Sequence, residues 1–291
     1  MSASNSTHRF PWWAALAYDP LPIGGVAGAL MLGTYALLRL PPSLPLLVAG
    51  VCGTALVYGA DRALVHSPED ALNHPERQRW VQAHRAWLVG EAGVLAVVGA
   101  VAIAFLRMDT IVVAGLLAGG AGLHLVRVGK WGRPLKTLGL GKPLVVAGAW
   151  AVGATLLPSL EAGLSPTPDV WALAGYRLLF LLPNVLLADW GDRRGDLASE
   201  GHTWTGVGAG RGLWWGVSAM LGLAVGGAAL VSTWVAVPIL LRIDAVGALL
   251  LLVAVWTLSP ETDAGRLIMD GLMAWPGVTA LVAWWIGAWP G

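Results

Sequence analysis

The chain has 291 residues, of which 56% are hydrophobic and only 12% are charged, whereas soluble domains carry about 25% charged residues. Apolar runs of membrane-spanning length recur along the whole chain, which excludes a soluble enzyme and indicates a polytopic helical membrane protein. The formal net charge of +1 favours no class of partner, and we expect no nucleic-acid partner.

Nine membrane spans are predicted in chain order, together forming one all-α integral-membrane domain over residues 1–291. Their approximate bounds are 22–40, 44–60, 86–106, 110–127, 143–158, 171–189, 212–232, 242–258 and 268–288. The apolar runs are continuous rather than alternating, as expected for helices and not for the strands of a barrel. The single cysteine, Cys52, excludes a disulfide within the chain and a cysteine-based metal site.

Basic residues are distributed unequally between the two sides of the predicted bundle. Fourteen lysines and arginines fall on the side of the N-terminus and three on the other side, with Arg177 inside the sixth span. The positive-inside rule then places the N-terminus and the long charged loops in the cytoplasm. The abundance of Arg, Ala, Gly and Trp favours a bacterial inner membrane as the location.

The sequence "NVLLADWGDRRGDLASEGHTW" (184–204) places three aspartates at the end of the sixth span. If the helix continues past the membrane surface, Asp189, Asp192 and Asp196 lie at i, i+3 and i+7 on one face. Carboxylates this close repel one another unless a cation lies among them, and Mg²⁺ prefers such oxygen ligands. Asn184 is within reach of the same rim. The alternative is a solvated helix end in which carboxylates and arginines merely face water.

A similar element ends the second span, where "YGADRAL" (58–64) contains Asp61 and Arg62. Both acidic elements lie at the cytoplasmic ends of even-numbered spans, four spans apart. This spacing indicates a duplicated four-helix unit with one additional helix.

These motifs resemble those of the UbiA-type intramembrane prenyltransferases, whose second motif reads D-x-x-D-x-x-x-D with a preceding Asn and a following Gly. The matching positions are Asn184, Asp189, Asp192, Asp196, Gly201 and Thr203. The resemblance implies a nine-helix bundle and Mg²⁺-dependent transfer of a prenyl group from a prenyl diphosphate to an acceptor, usually aromatic, within the membrane. It also implies that Asp61, Asp189, Asp192 and Asp196 are the catalytic metal ligands.

The first motif of that family, N-D-x-x-D-x-x-x-D, is incomplete in this chain. Val57, Tyr58 and Val65 stand where the motif has Asn, Asp and Asp, so that Asp61 is the remaining carboxylate. Candidate replacements are His66, Glu69 and Asp70, and candidate compensating cations are Arg77, Arg79 and Arg85.

The basic sequence "RVGKWGRPLKTLGLGK" (127–142) is expected to hold the diphosphate from the side opposite the acidic motifs, since arginine and lysine bind phosphate. The full set of expected diphosphate-binding residues is Asn184, Arg62, Lys130, Arg133, Lys136, Lys142, Arg193 and Tyr58.

Three functions are compatible with the sequence. The first is a prenyltransferase whose acceptor is aromatic or lipid-like. The second is a UbiA-type terpene cyclase or diphosphate lyase, which needs no acceptor. The third is a non-catalytic homologue that binds a prenyl lipid. Glu91, taken as the one acidic residue within an apolar run, is a further functional candidate whose partner is either Arg85 or Arg177.

Overall fold

The computed structural model describes residues 10–64, 72–125, 141–199, 210–232 and 238–289. These ranges contain twelve helices, numbered in chain order. Their bounds are α1 Trp13–Tyr18, α2 Leu21–Leu38, α3 Leu44–Leu64, α4 Pro75–Ala83, α5 Arg85–Ile103, α6 Met108–Leu125, α7 Gly141–Glu161, α8 Pro168–Ser199, α9 Gly210–Val231, α10 Pro238–Thr257, α11 Asp263–Leu272 and α12 Trp275–Trp285.

Within the described ranges, seven helical segments are long and apolar enough to cross a membrane, and two shorter apolar helices, Leu44–Ala60 and Met108–Gly120, accompany them. Each of the nine predicted spans overlaps one of these segments. The chain is therefore an integral, multi-pass membrane protein with an all-helical fold.

Helices α2 and α8 form the centre of the bundle, and α5 lies at its edge. About 67% of the apolar window is buried in α2 and in α8, but only 17% in α5. The exposed face of α5 carries Val89, Val94, Val97 and Val101, which is favourable against lipid tails because these are as apolar as the side chains themselves.

Glycines allow the close approach of α12 to its neighbours. A Cβ added at Gly33 on α2 would lie 2.5 Å from the Cβ of Pro276, and one at Gly247 on α10 would lie 2.6 Å from the ring of Trp275. These two glycines thus serve close packing between helices of the same chain.

The ninth predicted span is divided into α11 and α12. The amide of Met273 donates to the carbonyl of Asp270 in a tightened turn, and Pro276, the second residue of α12, has no N–H to continue the ladder. The helix therefore stops and restarts within the span.

Helix α8 is much longer than the span that it contains. Its 32 residues extend over about 48 Å, against a hydrocarbon core of about 30 Å. The residues after Asp189 therefore continue as helix beyond the predicted span, as the spacing of the acidic residues requires. We call the end of the bundle where α8 ends and α7 and α11 begin the charged end.

Candidate functional site

The second acidic motif lies on the last turns of α8, at the charged end. Asp189 and Asp192 are one turn apart, and Asp196 follows on the same helix, although its side chain lies outside the described residues. Asp61 and Arg62 lie on the last turn of α3, and their side chains also lie outside the description.

Asp192 is held by side chains from two other parts of the chain. Its Oδ1 lies 2.8 Å from Nη1 of Arg266 and 2.9 Å from Nε2 of His74. The amide of Asn73 also donates to the backbone carbonyl of Asp192 over 2.7 Å. The carboxylate most central to the predicted motif is therefore fixed by the start of α11 and by the residues just before α4.

A second carboxylate, Asp263, completes this cluster. Its Oδ1 lies 3.9 Å from Nδ1 of His74, and its Oδ2 accepts a hydrogen bond of 2.6 Å from the hydroxyl of Tyr18. Burial raises the pKa of the Tyr18 phenol, and the hydrogen bond to Asp263 raises it further, so the hydroxyl remains a donor at neutral pH. The N-terminal helix α1 is thereby tied to α11.

Asp189 pairs with the lysine at the start of α7. Nζ of Lys142 donates to Oδ1 of Asp189 over 3.0 Å, and the Asp189 side chain is only 13% exposed. The sequence predicts Lys142 opposite the acidic motif, but it lies beside the motif because the first turn of α7 packs next to α8. The end of the basic sequence does reach the site.

Arg193 pairs with the connection that precedes α11. It donates to Oε1 of Glu261 over 2.5 Å and to the carbonyl of Trp190 over 3.1 Å. Its guanidinium carbon lies 4.4 Å from the centroid of the Trp190 ring, a cation–π distance.

Asn184 and Tyr58, both predicted to bind diphosphate, lie further inside the bundle. Asn184 is buried, and its amide donates to Oδ1 of Asp270 over 2.8 Å. The Tyr58 ring packs edge-on against Trp150, with centroids 6.2 Å apart.

Gly191 allows the cluster to close on α8. A Cβ at this position would overlap Nη2 of Arg266 and would lie 2.5 Å from the carbonyl oxygen of Pro260. Real Cβ atoms do not approach other atoms this closely, and the Pro260 oxygen belongs to the backbone, so it has little freedom to move away.

Replacing Gly191 with Ala should therefore lower the free energy of unfolding by about 1–3 kcal/mol, read as a lower melting temperature in detergent. Gly175→Ala is the matched control on the same helix, since a Cβ at position 175 would meet no atom within 4 Å. This variant should be neutral or slightly stabilising. Equal melting temperatures for the two variants would contradict the close packing of Arg266 and Pro260 against Gly191.

The described side chains supply only some of the ligands that a metal ion needs. No group of three His, Cys, Asp or Glu side chains among the described residues is arranged to hold one. However, the described polar contacts of the Asp189 and Asp192 side chains all use Oδ1, and this leaves Oδ2 of each carboxylate for a cation. Further ligands would come from Asp196 and Asp61 on the two helix ends.

Several predicted site residues lie outside the described residues. The predicted diphosphate ligands among them are Lys130, Arg133 and Lys136, and the candidate replacements in the first motif are His66, Glu69 and Asp70.

Two partners of Asp192 and one buried acidic residue were not predicted from the sequence. No sequence motif relates His74 and Arg266 to Asp192, because they lie 118 and 74 positions away from it. Asp244 did carry a signal: it is a carboxylate inside a predicted span, and the interpretation of Glu91 as the one such acid was wrong. Asp244 is 1% exposed and pairs with Arg177 over 2.6 Å, so Arg177 is not the partner of Glu91.

The chain is similar in structure to a solved digeranylgeranylglyceryl phosphate synthase studied in membranes. The two share 16% sequence identity, the likeness covers 93% of this chain and 96% of that chain, and the TM-score is 0.54. The sequence matches no protein-family model and no curated protein.

This structural similarity identifies the type of fold. The synthase is a UbiA-type prenyltransferase, and the chain has the fold of that superfamily. The resemblance found in the acidic motif is thus confirmed at the level of the fold.

Proposed function

We propose that the protein is a membrane prenyltransferase that moves a prenyl group from a prenyl diphosphate to an aromatic or lipid-like acceptor with the help of Mg²⁺. The observation that carries this proposal is the pair of carboxylates one turn apart on α8, each with a free Oδ2 in the described structure and a cation on Oδ1. Acidic and basic groups so arranged suit a magnesium diphosphate.

Each described group has a role in this proposal. Asp189, Asp192, Asp196 and Asp61 would hold Mg²⁺. When bound, Mg²⁺ neutralises the diphosphate and favours its departure from the prenyl carbon. Lys142, already beside Asp189, contributes a further positive charge to the departing diphosphate. Arg62, Lys130, Arg133, Lys136 and Arg193 are proposed to supply the remaining cations around it.

The prenyl chain is proposed to lie among the apolar side chains of the bundle, away from water. Exclusion of water protects a reactive allylic carbon from hydrolysis. The structural neighbour is a synthase of a glyceryl phosphate, which supports a lipid-like acceptor beside the aromatic acceptors implied by the motif.

A non-catalytic protein that binds a prenyl lipid is the second candidate. The observation in its favour is that both described carboxylates already have a cationic side chain as partner, and that the first motif retains only Asp61. Such a protein would bind a prenyl diphosphate without releasing diphosphate.

The test is release of diphosphate by the purified protein in detergent. C10, C15 and C20 prenyl diphosphates are supplied with and without Mg²⁺, with and without an aromatic and a glycerol phosphate acceptor. We expect Mg²⁺-dependent release that one acceptor increases. Release that no acceptor changes would instead indicate a cyclase or lyase, and Mg²⁺-dependent binding without release would indicate the binding protein.

A further inference from the structure

Arg266 lies between two groups that commonly bind metal ions. Its Nη1 is 2.8 Å from Oδ1 of Asp192 and 2.6 Å from Nε2 of His74, and these two atoms are themselves 2.9 Å apart. A guanidinium can only donate hydrogen bonds, so in the tautomer of His74 with its proton on Nδ1, both Nε2 and Oδ1 of Asp192 accept from Nη1. A carboxylate oxygen and an imidazole nitrogen, both ordinary ligands of divalent cations, therefore converge on a cation that belongs to the protein.

The surroundings of His74 are also those of a metal ligand. His74 is buried, and Asp263 lies 3.9 Å from its second nitrogen. Histidines that bind metals usually have a carboxylate or carbonyl beside that second nitrogen, which orients the ring. Tyr18 in turn fixes the other oxygen of Asp263.

The guanidinium is fixed in this position by the backbone around it. Nε of Arg266 donates to the carbonyl of Pro260 over 2.7 Å, and Nη2 lies against Gly191, where a Cβ would overlap it. The Thr262 hydroxyl caps α11 by accepting from the amide of Gly265, which sets the direction of its first turn. Because arginine stays charged at any physiological pH, the positive charge is permanent.

We propose that Arg266 occupies the position of a second metal ion on Asp192, so that the site works with one Mg²⁺ and one guanidinium. The inference rests on the proposed function. The incomplete first motif supports it, because Val57, Tyr58 and Val65 provide no carboxylate with which to hold a second Mg²⁺. Arg266 then supplies the positive charge towards the diphosphate that the second ion would have supplied.

The experiment counts bound metal ions directly and does not depend on turnover. Mn²⁺ is titrated into the purified protein in detergent, with and without inorganic pyrophosphate, and bound Mn²⁺ is measured from the loss of the free-ion EPR signal. For the wild type we expect one Mn²⁺ per chain. Two Mn²⁺ per chain would overturn the inference but leave the proposed function intact, whereas no binding of Mn²⁺ or pyrophosphate would overturn both.

Removing the guanidinium shows whether Arg266 takes the place of a metal ion or only orients Asp192, because the two roles change the affinity for Mn²⁺ in opposite directions. Arg266→Gln frees Oδ1 of Asp192 and Nε2 of His74, so we expect Mn²⁺ to bind at least about tenfold more tightly or at a second site, and pyrophosphate to bind at least about tenfold more weakly. If Arg266 only orients Asp192, the same variant should bind Mn²⁺ more weakly, and that outcome would overturn the inference.

Three further variants separate charge from shape. Arg266→Lys keeps the charge and should leave Mn²⁺ binding close to that of the wild type. The double variant Arg266→Gln with His74→Ala should lose the gain, because the imidazole is needed for the additional binding. Arg107→Gln removes an exposed arginine paired with Asp109 outside the site and should change neither affinity. The wild-type stoichiometry needs no variant, so the inference can be tested even if Arg266→Gln fails to fold.

Discussion

Replacing Asp192 with Asn should reduce Mg²⁺-dependent diphosphate release by at least about 100-fold while leaving the protein folded. The change removes the negative charge and replaces one ligand oxygen with an NH₂ group, which cannot bind a metal ion. The remaining amide oxygen can still accept the hydrogen bond from Arg266 that now measures 2.8 Å. Arg266, whose side chain is 16% exposed, keeps the nearby carboxylate of Asp263 as a counter-charge.

The measurement is release of diphosphate from the best prenyl diphosphate found for the wild type, beside the melting temperature of each protein. Asp169→Asn is the matched control, because Asp169 lies in the first turn of the same helix, at the end remote from the acidic motif. It should retain wild-type release. Release by Asp192→Asn at the wild-type rate would exclude Asp192 as a metal ligand and contradict the proposed function.

The positions of the spans were predictable because hydropathy is a property of contiguous residues. The same holds for the acidic motif: Asp189 and Asp192 share a helix, so their spacing alone places them on one face. The break between α11 and α12 was missed, although Pro276 offered a local sign of it.

The partners of the acidic residues were much harder to predict. His74 and Arg266 reach Asp192 from 118 and 74 positions away, and no local pattern relates residues so distant in sequence. Their contact depends on how α4, α8 and α11 meet, and on the absence of a side chain at Gly191. In the sequence, Arg266 is one of many arginines attributed to the positive-inside rule.

Removing Arg177 should cost more stability than replacing Gly191 or Asp192. Arg177 is fully buried on α8, and its guanidinium bonds to both oxygens of Asp244 on α10, over 2.6 and 3.3 Å. Tyr176 and Thr279 donate to the same carboxylate over 2.9 and 3.0 Å. Arg177→Met leaves this carboxylate without its counter-ion, and we expect a loss of about 3–5 kcal/mol in the free energy of unfolding.

The measurement is denaturant unfolding in detergent micelles, arranged as a double-mutant cycle. Arg177→Met combined with Asp244→Leu should recover much of the loss, since replacing both members of a buried pair with apolar residues is often neutral. Arg79→Met is the control, because Arg79 and Glu76 form an exposed pair with both side chains about half accessible, worth at most about 1 kcal/mol. Strictly additive effects of Arg177→Met and Asp244→Leu would show that the pair contributes no coupling.

The same variants distinguish a structural pair from a catalytic one. Arg177 precedes Asp189 by twelve positions on α8, or about 18 Å along the helix, and the described partners of the acidic motif come from α7, α11 and the residues before α4 rather than from α10. At a temperature where the double variant remains folded, its rate of diphosphate release should therefore match that of the wild type. A folded double variant that releases no diphosphate would mean that the ion pair within the membrane takes part in the reaction itself.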